Sequence, residues 1–156
     1  MNWDFAFQAA NIWALIMWAM LILLPRNALA GAAVFYGGVG MLCFAYTLFM
    51  GLVVGGAVDP VSQSEGAGAS FTTIAGVRGL FSTDGGVTIG WIHYLAFDLF
   101  AGLWISKDAD TKGFSRLVQS PVLLLTFIAG PAGLLVWFIV REKRARAAAG
   151  PRRRFT

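Results

Sequence analysis

The chain has 156 residues, of which 58% are hydrophobic and only 13% charged, and its mean hydropathy is +0.70. Soluble domains of this size carry about a quarter charged residues, so the composition excludes an ordinary soluble protein. The net charge of +4 does not indicate nucleic-acid binding, because seven of the twelve Lys and Arg residues lie between Arg141 and Arg154, directly after an apolar run. Such placement is typical of a cytoplasmic topology signal beside anionic lipid.

The first apolar run predicts a transmembrane helix over residues 5–24, since about 20 residues cross the hydrocarbon core of a bilayer. No basic region or cleavage site of a signal peptide is recognisable around it, so we expect this helix to be retained. Pro25 ends it, because proline cannot continue a helix. The second run predicts a span over 28–54, whose Gly51-x-x-x-Gly55 spacing permits close packing against another helix or a protein partner.

The stretch from 55 to 86 is the longest polar segment before the tail, and small polar residues at 62–69 predict a loop. Apolar residues then recur at helical spacing, with Arg78 off their stripe: Phe71, Ile74, Val77 and Phe81. This pattern predicts a short amphipathic helix that lies at the membrane surface or caps the bundle.

A third span is predicted over 86–105 and a fourth over 121–140, which begins at Ser120-Pro121 and carries a kink at Pro131. We therefore expect an all-α integral membrane protein: a single four-transmembrane-helix bundle over 1–140 with a short interfacial helix between helices 2 and 3. Residues 141–156 form a basic cytoplasmic tail. An even number of spans places both termini of this multi-pass protein on the same side of the membrane. The basic tail identifies that side as the cytoplasm.

His93 and Asp98, both in the third span, are the candidates for chemistry, because an ionisable side chain in a bilayer is costly and usually faces the bundle interior. Their separation puts them roughly 140° apart around a helix, so they cannot coordinate one ion together. Tyr94 shares a face with Asp98 and can donate a hydrogen bond to it. A purely structural role, in which both residues bond neighbouring helices, remains open.

Gln8 and Asn11 form a polar stripe on the first span, which can face the third, and Arg78 can pair with Asp98 or orient a polar substrate group. One histidine and one cysteine cannot build a common structural zinc site, so no metal is expected. No phosphate-binding glycine loop or nucleophile elbow is present, and no cofactor is expected. The remaining possibilities for these residues are acid–base chemistry on a lipophilic molecule and binding of such a molecule.

The third span contains the sequence Trp91-x-His93-x-Leu95-x-x-Asp98-Leu99-Phe100. It resembles the signature of the small membrane family that contains plant neoxanthin synthase, the abscisic-acid-deficient type. Further matches cover nearly the whole chain up to the tail: Pro25-x-Asn27, Phe81-Ser82 and Pro131-x-Gly133. The plant members carry a plastid-targeting extension that is not recognisable here, so we expect a prokaryotic member in the cell (inner) membrane.

The resemblance implies carotenoid metabolism, namely the isomerisation of an epoxy-carotenoid to an allenic product without a redox cofactor. That reaction needs an acid at the epoxide oxygen and a base for a carbon-bound proton, roles that Asp98 and His93 can supply. Residues implied in substrate binding are Tyr94, Arg78, Asn11, Gln8 and Trp91.

Two other classes of function remain open. The chain can be a non-catalytic pigment-binding or accessory subunit of a membrane complex, in which His93 and Asp98 are structural. A proton or small-solute transporter, with Asp98 as a relay, would require more helices than one chain supplies and hence a homo-oligomer.

Overall fold

The computed structural model describes residues 1–24, 27–58 and 70–149. Every regular element in these ranges is helical, which confirms the predicted all-α class. The predictions for Pro25, for the loop at 62–69 and for the basic tail beyond residue 149 lie outside the described residues.

Three helices are long and apolar enough to cross a membrane: Trp3–Leu23, Ala28–Val54 and Asp84–Thr111. The first is α1. The second consists of α2 (Ala28–Ala32), a π-helical segment (Ala33–Gly40) and α3 (Met41–Val54). The third is α5. They coincide with the first three predicted spans, except that α5 begins two residues before and ends six residues after the predicted range 86–105. A fourth span is not confirmed.

A short helix, α4 (Ile74–Leu80), lies between the second and third long helices, as predicted. The hydroxyl of Thr73 accepts a hydrogen bond from the Gly76 N–H and so caps its first turn. Ile74 on this helix and Phe71 just before it are more than three-quarters exposed. Its location at the membrane surface stays a prediction.

The segment predicted as a fourth span differs from expectation. It forms two helices, α6 (Arg116–Ile128) and α7 (Gly130–Ala149), separated by Ala129 with φ −147° and ψ 75°. The rings of Phe114 and Trp137 are 5.0 Å apart, whereas at 1.5 Å per residue a straight helix would separate these residues by about 35 Å. The chain therefore folds back at Ala129.

The single helix predicted over 121–140, kinked at Pro131, is thus corrected to a helical hairpin. Pro131 is the second residue of α7. In the first turn of a helix the N–H that proline lacks would have no intrahelical partner, so proline begins a helix here instead of bending one.

Residue contacts divide the chain into two compact units, one of Met1–Ile16 with Tyr36–Phe97 and the other of Met17–Phe35 with Asp98–Thr156. The first unit has a core of apolar side chains from α1, α3 and α5: Trp3, Ala10, Ala14, Leu42 and Ile92. The core of the second unit centres on Trp137, Leu99, Ile105 and Leu123, which are at most 1% exposed. A single domain over 1–140 stays a prediction.

Candidate functional site

Asp98 lies in the second unit, at the tip of the α6–α7 hairpin. It is an ionisable residue on a largely apolar helix, and yet only 8% of its surface is exposed. Its carboxylate packs directly against the Cα of Gly130, so closely that a Cβ at this position would overlap it. Gly130 is the first residue of α7, and the positive end of a helix dipole stabilises a neighbouring carboxylate by up to about 2 kcal/mol. The hairpin thus offsets part of the ~2.5–3.5 kcal/mol that a central Asp costs in a bilayer.

The surroundings of the tip are tightly packed. Phe127, near the end of α6, contacts Trp18 edge to face with ring centroids 5.5 Å apart. Trp18 is 2% exposed and also lies on Gly102, where a Cβ would overlap its ring. Across the hairpin, Gly133 packs on the backbone and hydroxyl of Thr126 in the same way. These contacts hold the backbone on both sides of the tip, which fixes where the Asp98 carboxylate can lie.

A second polar group is buried between α5 and α6. Gln119 Nε2 donates a 2.9 Å hydrogen bond to Ser106 Oγ, and both residues are 1% exposed. Gln119 Oε1 is buried and accepts no hydrogen bond from the part of the chain that the structure describes. Sequence reasoning missed both residues, although Ser106 lies eight positions after Asp98, near the same face of the helix.

The base of the hairpin is fastened by Asp108 near the end of α5. Arg141 donates two hydrogen bonds to this carboxylate, Nε to Oδ2 at 2.7 Å and Nη2 to Oδ1 at 3.1 Å. Trp137 Nε1 donates to Oδ2 at 3.0 Å, and Lys112 completes the set. One carboxylate thus joins α7 to α5, which is a structural role that sequence reasoning did not assign.

In the first unit the structure brings three predicted substrate-binding residues together. Trp91 Nε1 donates a 2.9 Å hydrogen bond to Asn11 Oδ1, and Asn11 Nδ2 donates to the Phe7 carbonyl at 2.8 Å. Trp91 stacks on Tyr94 with ring centroids 5.1 Å apart and contacts Phe7 at 5.7 Å. Asn11, Trp91 and Tyr94 form a mixed polar and aromatic cluster between α1 and α5.

His93 belongs to a different set of rings. It lies between Tyr46 on α3 and Phe97, with centroids 5.4 Å and 4.7 Å away, and its side chain is exposed. Asp98 is buried, so His93 and Asp98 point in different directions, as their spacing predicts. The sequence gives no indication of Tyr46 as the neighbour of His93.

Gln8 and Arg78 stand apart from these clusters. Gln8 is exposed on α1. Arg78 is exposed on α4, beside an open pocket that Phe71, Ile74 and Val77 also line, and it makes no ion pair with any residue in the described ranges. No three His, Cys, Asp or Glu side chains within those ranges lie close enough together to hold a metal ion.

An apolar groove runs between α1 and α3 in the first unit. Its volume is about 510 Å³, and aromatic and aliphatic side chains line it, among them Phe5, Trp13, Met41 and Phe49. Trp13 Nε1 donates a 2.8 Å hydrogen bond to the Gly37 carbonyl in the π-helical segment. The groove therefore offers an apolar surface of the size that a segment of a hydrocarbon chain would occupy.

These features define the class: an all-helical protein with three helices able to cross a membrane, one of which carries a buried carboxylate. A family model, ABA DEFICIENT 4-like, matches residues 5–137, so the chain belongs to this family. The family relates to abscisic-acid and neoxanthin biosynthesis, which is a carotenoid-related function. No curated protein and no solved structure matches the chain.

Proposed function

We propose that the protein modifies a carotenoid or a related isoprenoid by acid–base chemistry centred on Asp98. The observation that carries this proposal is the burial of the Asp98 carboxylate at the hairpin tip against the first residue of α7. A carboxyl group in such a place is shielded from water yet supported by a helix N-terminus, and it can donate or accept a proton. Membership of the carotenoid-related family supports the class of substrate.

The proposed reaction is the isomerisation of an epoxy-carotenoid. A base removes a proton from the carbon of the polyene beside the epoxide-bearing ring, the electron pair forms the new double bond of the allene, and the carbon–oxygen bond of the epoxide opens. A proton delivered to the epoxide oxygen gives the hydroxyl group. The atoms balance without any oxidant or reductant.

Asp98 is the proposed proton-transfer group at the hairpin tip, and His93, which points in a different direction, stays a second proposed proton-transfer group. The exposed His93 ring, held between Tyr46 and Phe97, is accessible to a lipophilic molecule from the bilayer side. The Asn11–Trp91–Tyr94 cluster offers hydrogen-bonding groups beside aromatic faces, which suits a polyene that ends in an oxygenated ring. Gln8 and Arg78 stay proposed binding residues, although both lie apart from this cluster.

The test is turnover of an epoxy-carotenoid such as violaxanthin by the purified protein in lipid vesicles, followed by chromatography of the pigments. We expect Asp98→Asn to reduce the rate by about 100-fold or more, the range over which general acid–base groups contribute. Asp84→Asn is the matched control, because it makes the same chemical change at an exposed position on the same helix. Wild-type turnover by a folded Asp98→Asn protein would overturn the assignment.

A pigment-binding protein without catalysis is the second candidate, favoured by the apolar groove between α1 and α3. Turnover of added epoxy-carotenoid separates the two, whereas the absorption spectrum of the gently purified protein does not. Both functions predict a vibronic polyene band, but a binding protein would return added epoxy-carotenoid unchanged.

A further inference from the structure

Both ends of the α6–α7 hairpin lie at the same end of α5. Near the start of α6, Gln119 bonds Ser106, and at the far end of the apolar part of α7, Arg141 bonds Asp108. The tip between them lies at Asp98, where Gly130 contacts the carboxylate. Asp98 is about 15 Å from Asp108 along α5 at 1.5 Å per residue. The hairpin therefore runs along α5 for that distance and returns.

Neither arm of the hairpin is long enough to cross a membrane. Helix α6 has 13 residues and is thus about 20 Å long. The uncharged part of α7, residues 130–140, is about 17 Å long. The hydrocarbon core of a bilayer is about 30 Å thick.

The outer surface of the hairpin is nevertheless apolar. No charged residue occurs between positions 117 and 140. The exposed side chains include large hydrophobic residues along both arms: Leu117, Leu124, Ile128, Leu135 and Ile139, each at least 48% exposed. Charged side chains begin only at the base, with Arg116 on one arm and Arg141 on the other. Such a surface is suited to lipid chains, with the charges at the headgroups.

We infer that the chain crosses the membrane three times, through α1, the Ala28–Val54 helix and α5, and that α6 and α7 form a re-entrant hairpin. The hairpin enters and leaves on the side of the basic tail, and its tip ends near the middle of the bilayer beside Asp98. The N-terminus and the C-terminus consequently lie on opposite sides of the membrane.

The distribution of basic residues supports this topology independently of the contacts. With four spans, eight Lys and Arg residues would lie on one side and four on the other. With three spans and a re-entrant hairpin, Arg78 alone lies on the side of the N-terminus, and the other eleven of the twelve lie on the side of the tail. The positive-inside rule then places the tail in the cytoplasm with a far larger bias.

The topology has a consequence for Asp98. Non-helical backbone at membrane depth is tolerated only where protein buries it or where it lines a polar cavity. Ala129, at the break, is such a place, and it adjoins Asp98, the one carboxylate that is buried among the described residues. The Ala129 N–H donates to the Leu125 carbonyl and its own carbonyl accepts from the N–H groups of Ala132 and Gly133, so protein satisfies this backbone beside the carboxylate.

Single-cysteine labelling tests the topology in full-length protein in which Cys43 is replaced by alanine. Ser115→Cys and Glu142→Cys probe the two ends of the hairpin, and Asn2→Cys and Thr83→Cys probe the side of the N-terminus. All four positions are exposed. A membrane-impermeant maleimide is applied to right-side-out and to inverted cell-membrane vesicles, and detergent-solubilised protein shows that each cysteine is reactive.

We expect residues 115 and 142 to be labelled in inverted vesicles only, and residues 2 and 83 in right-side-out vesicles only. Labelling of 115 and 142 from opposite sides would overturn the re-entrant hairpin and restore four spans. Fluorescent-protein fusions, which fluoresce only in the cytoplasm, provide a second measurement that needs no cysteine. A bright C-terminal and a dark N-terminal fusion is the expected result, and two bright fusions would also refute the topology.

Discussion

Substitution of Gly130 by alanine places a methyl group where the Asp98 carboxylate now lies. All three atoms nearest to the added Cβ belong to Asp98, and real Cβ atoms essentially never come within 3.0 Å of such neighbours. The carboxylate must therefore move by more than about 0.5 Å, the tolerance within which a catalytic group has to be held. Displacements of about 1 Å reduce rates by about 100-fold, so we expect Gly130→Ala to resemble Asp98→Asn in turnover.

The effect on stability follows from the same overlap. Adding a methylene group to a well-packed interior costs about 1–3 kcal/mol. Removing the carboxylate with Asp98→Ala eliminates the atoms that the new methyl group meets. The double variant Gly130→Ala/Asp98→Ala is consequently expected to be more stable than the sum of the single effects, by about 1–2 kcal/mol.

The free energy of unfolding, measured by titration from mild detergent into dodecyl sulfate, gives this coupling directly. Gly51→Ala on α3 is the matched control, because nothing lies within 4 Å of a Cβ added there. It should be neutral or stabilise by about 0.5–1 kcal/mol, the usual gain of alanine over glycine in a helix. Additive effects of Gly130→Ala and Asp98→Ala, within about 0.5 kcal/mol, would refute the contact on which the candidate site rests.

Two further predictions concern the contacts that hold each unit together. Asp108→Ala leaves Arg141, Lys112 and Trp137 without their shared acceptor and should reduce the free energy of unfolding by about 2–3 kcal/mol. This is less than the ~3–5 kcal/mol of a fully buried pair, because the charged side chains of Asp108, Lys112 and Arg141 are 11–23% exposed. The same titration measures it, and a loss below ~0.5 kcal/mol would contradict it. Trp91→Phe keeps an aromatic ring but removes part of the indole and the N–H that donates to Asn11. It should therefore cost about 1 kcal/mol more than Trp104→Phe, whose indole makes no bond to Asn11. An equal loss from the two variants would show that the bond contributes nothing.

The long helices could be predicted from the sequence because hydrophobicity is a property of each segment alone. Runs of about 20 apolar residues need no knowledge of their neighbours, and the three observed helices contain the predicted ranges 28–54 and 86–105 and most of 5–24. Asp98 could be selected for the same reason, since a charged residue in such a run is unusual wherever the run lies. Its neighbour Gly130 could not, because that contact joins residues far apart in the sequence.

The α6–α7 hairpin could not be predicted from hydrophobicity. Hydropathy over 121–140 is the same whether the segment continues straight or folds back, so the apolar run alone predicts a span. The local signal was present in Gly130-Pro131, since proline fits the first turn of a helix as well as it bends one. The choice between the two depended on tertiary contacts such as Phe114 with Trp137, which no local pattern reveals.

The distribution of basic residues constrains the membrane topology more strongly than the apolar runs do. Each additional span moves every later basic residue to the other side of the membrane, so the number of spans and the charge asymmetry cannot be chosen separately. A four-span reading leaves Lys107, Lys112 and Arg116 opposite the basic tail, a weak asymmetry for a protein with twelve Lys and Arg residues. Folding α6 and α7 back on each other places these three residues with the tail, and Asp108 joins Lys112 to Arg141 at its start. The charge distribution and the hairpin contacts thus lead to the same topology from independent physical causes, one from membrane insertion and one from packing.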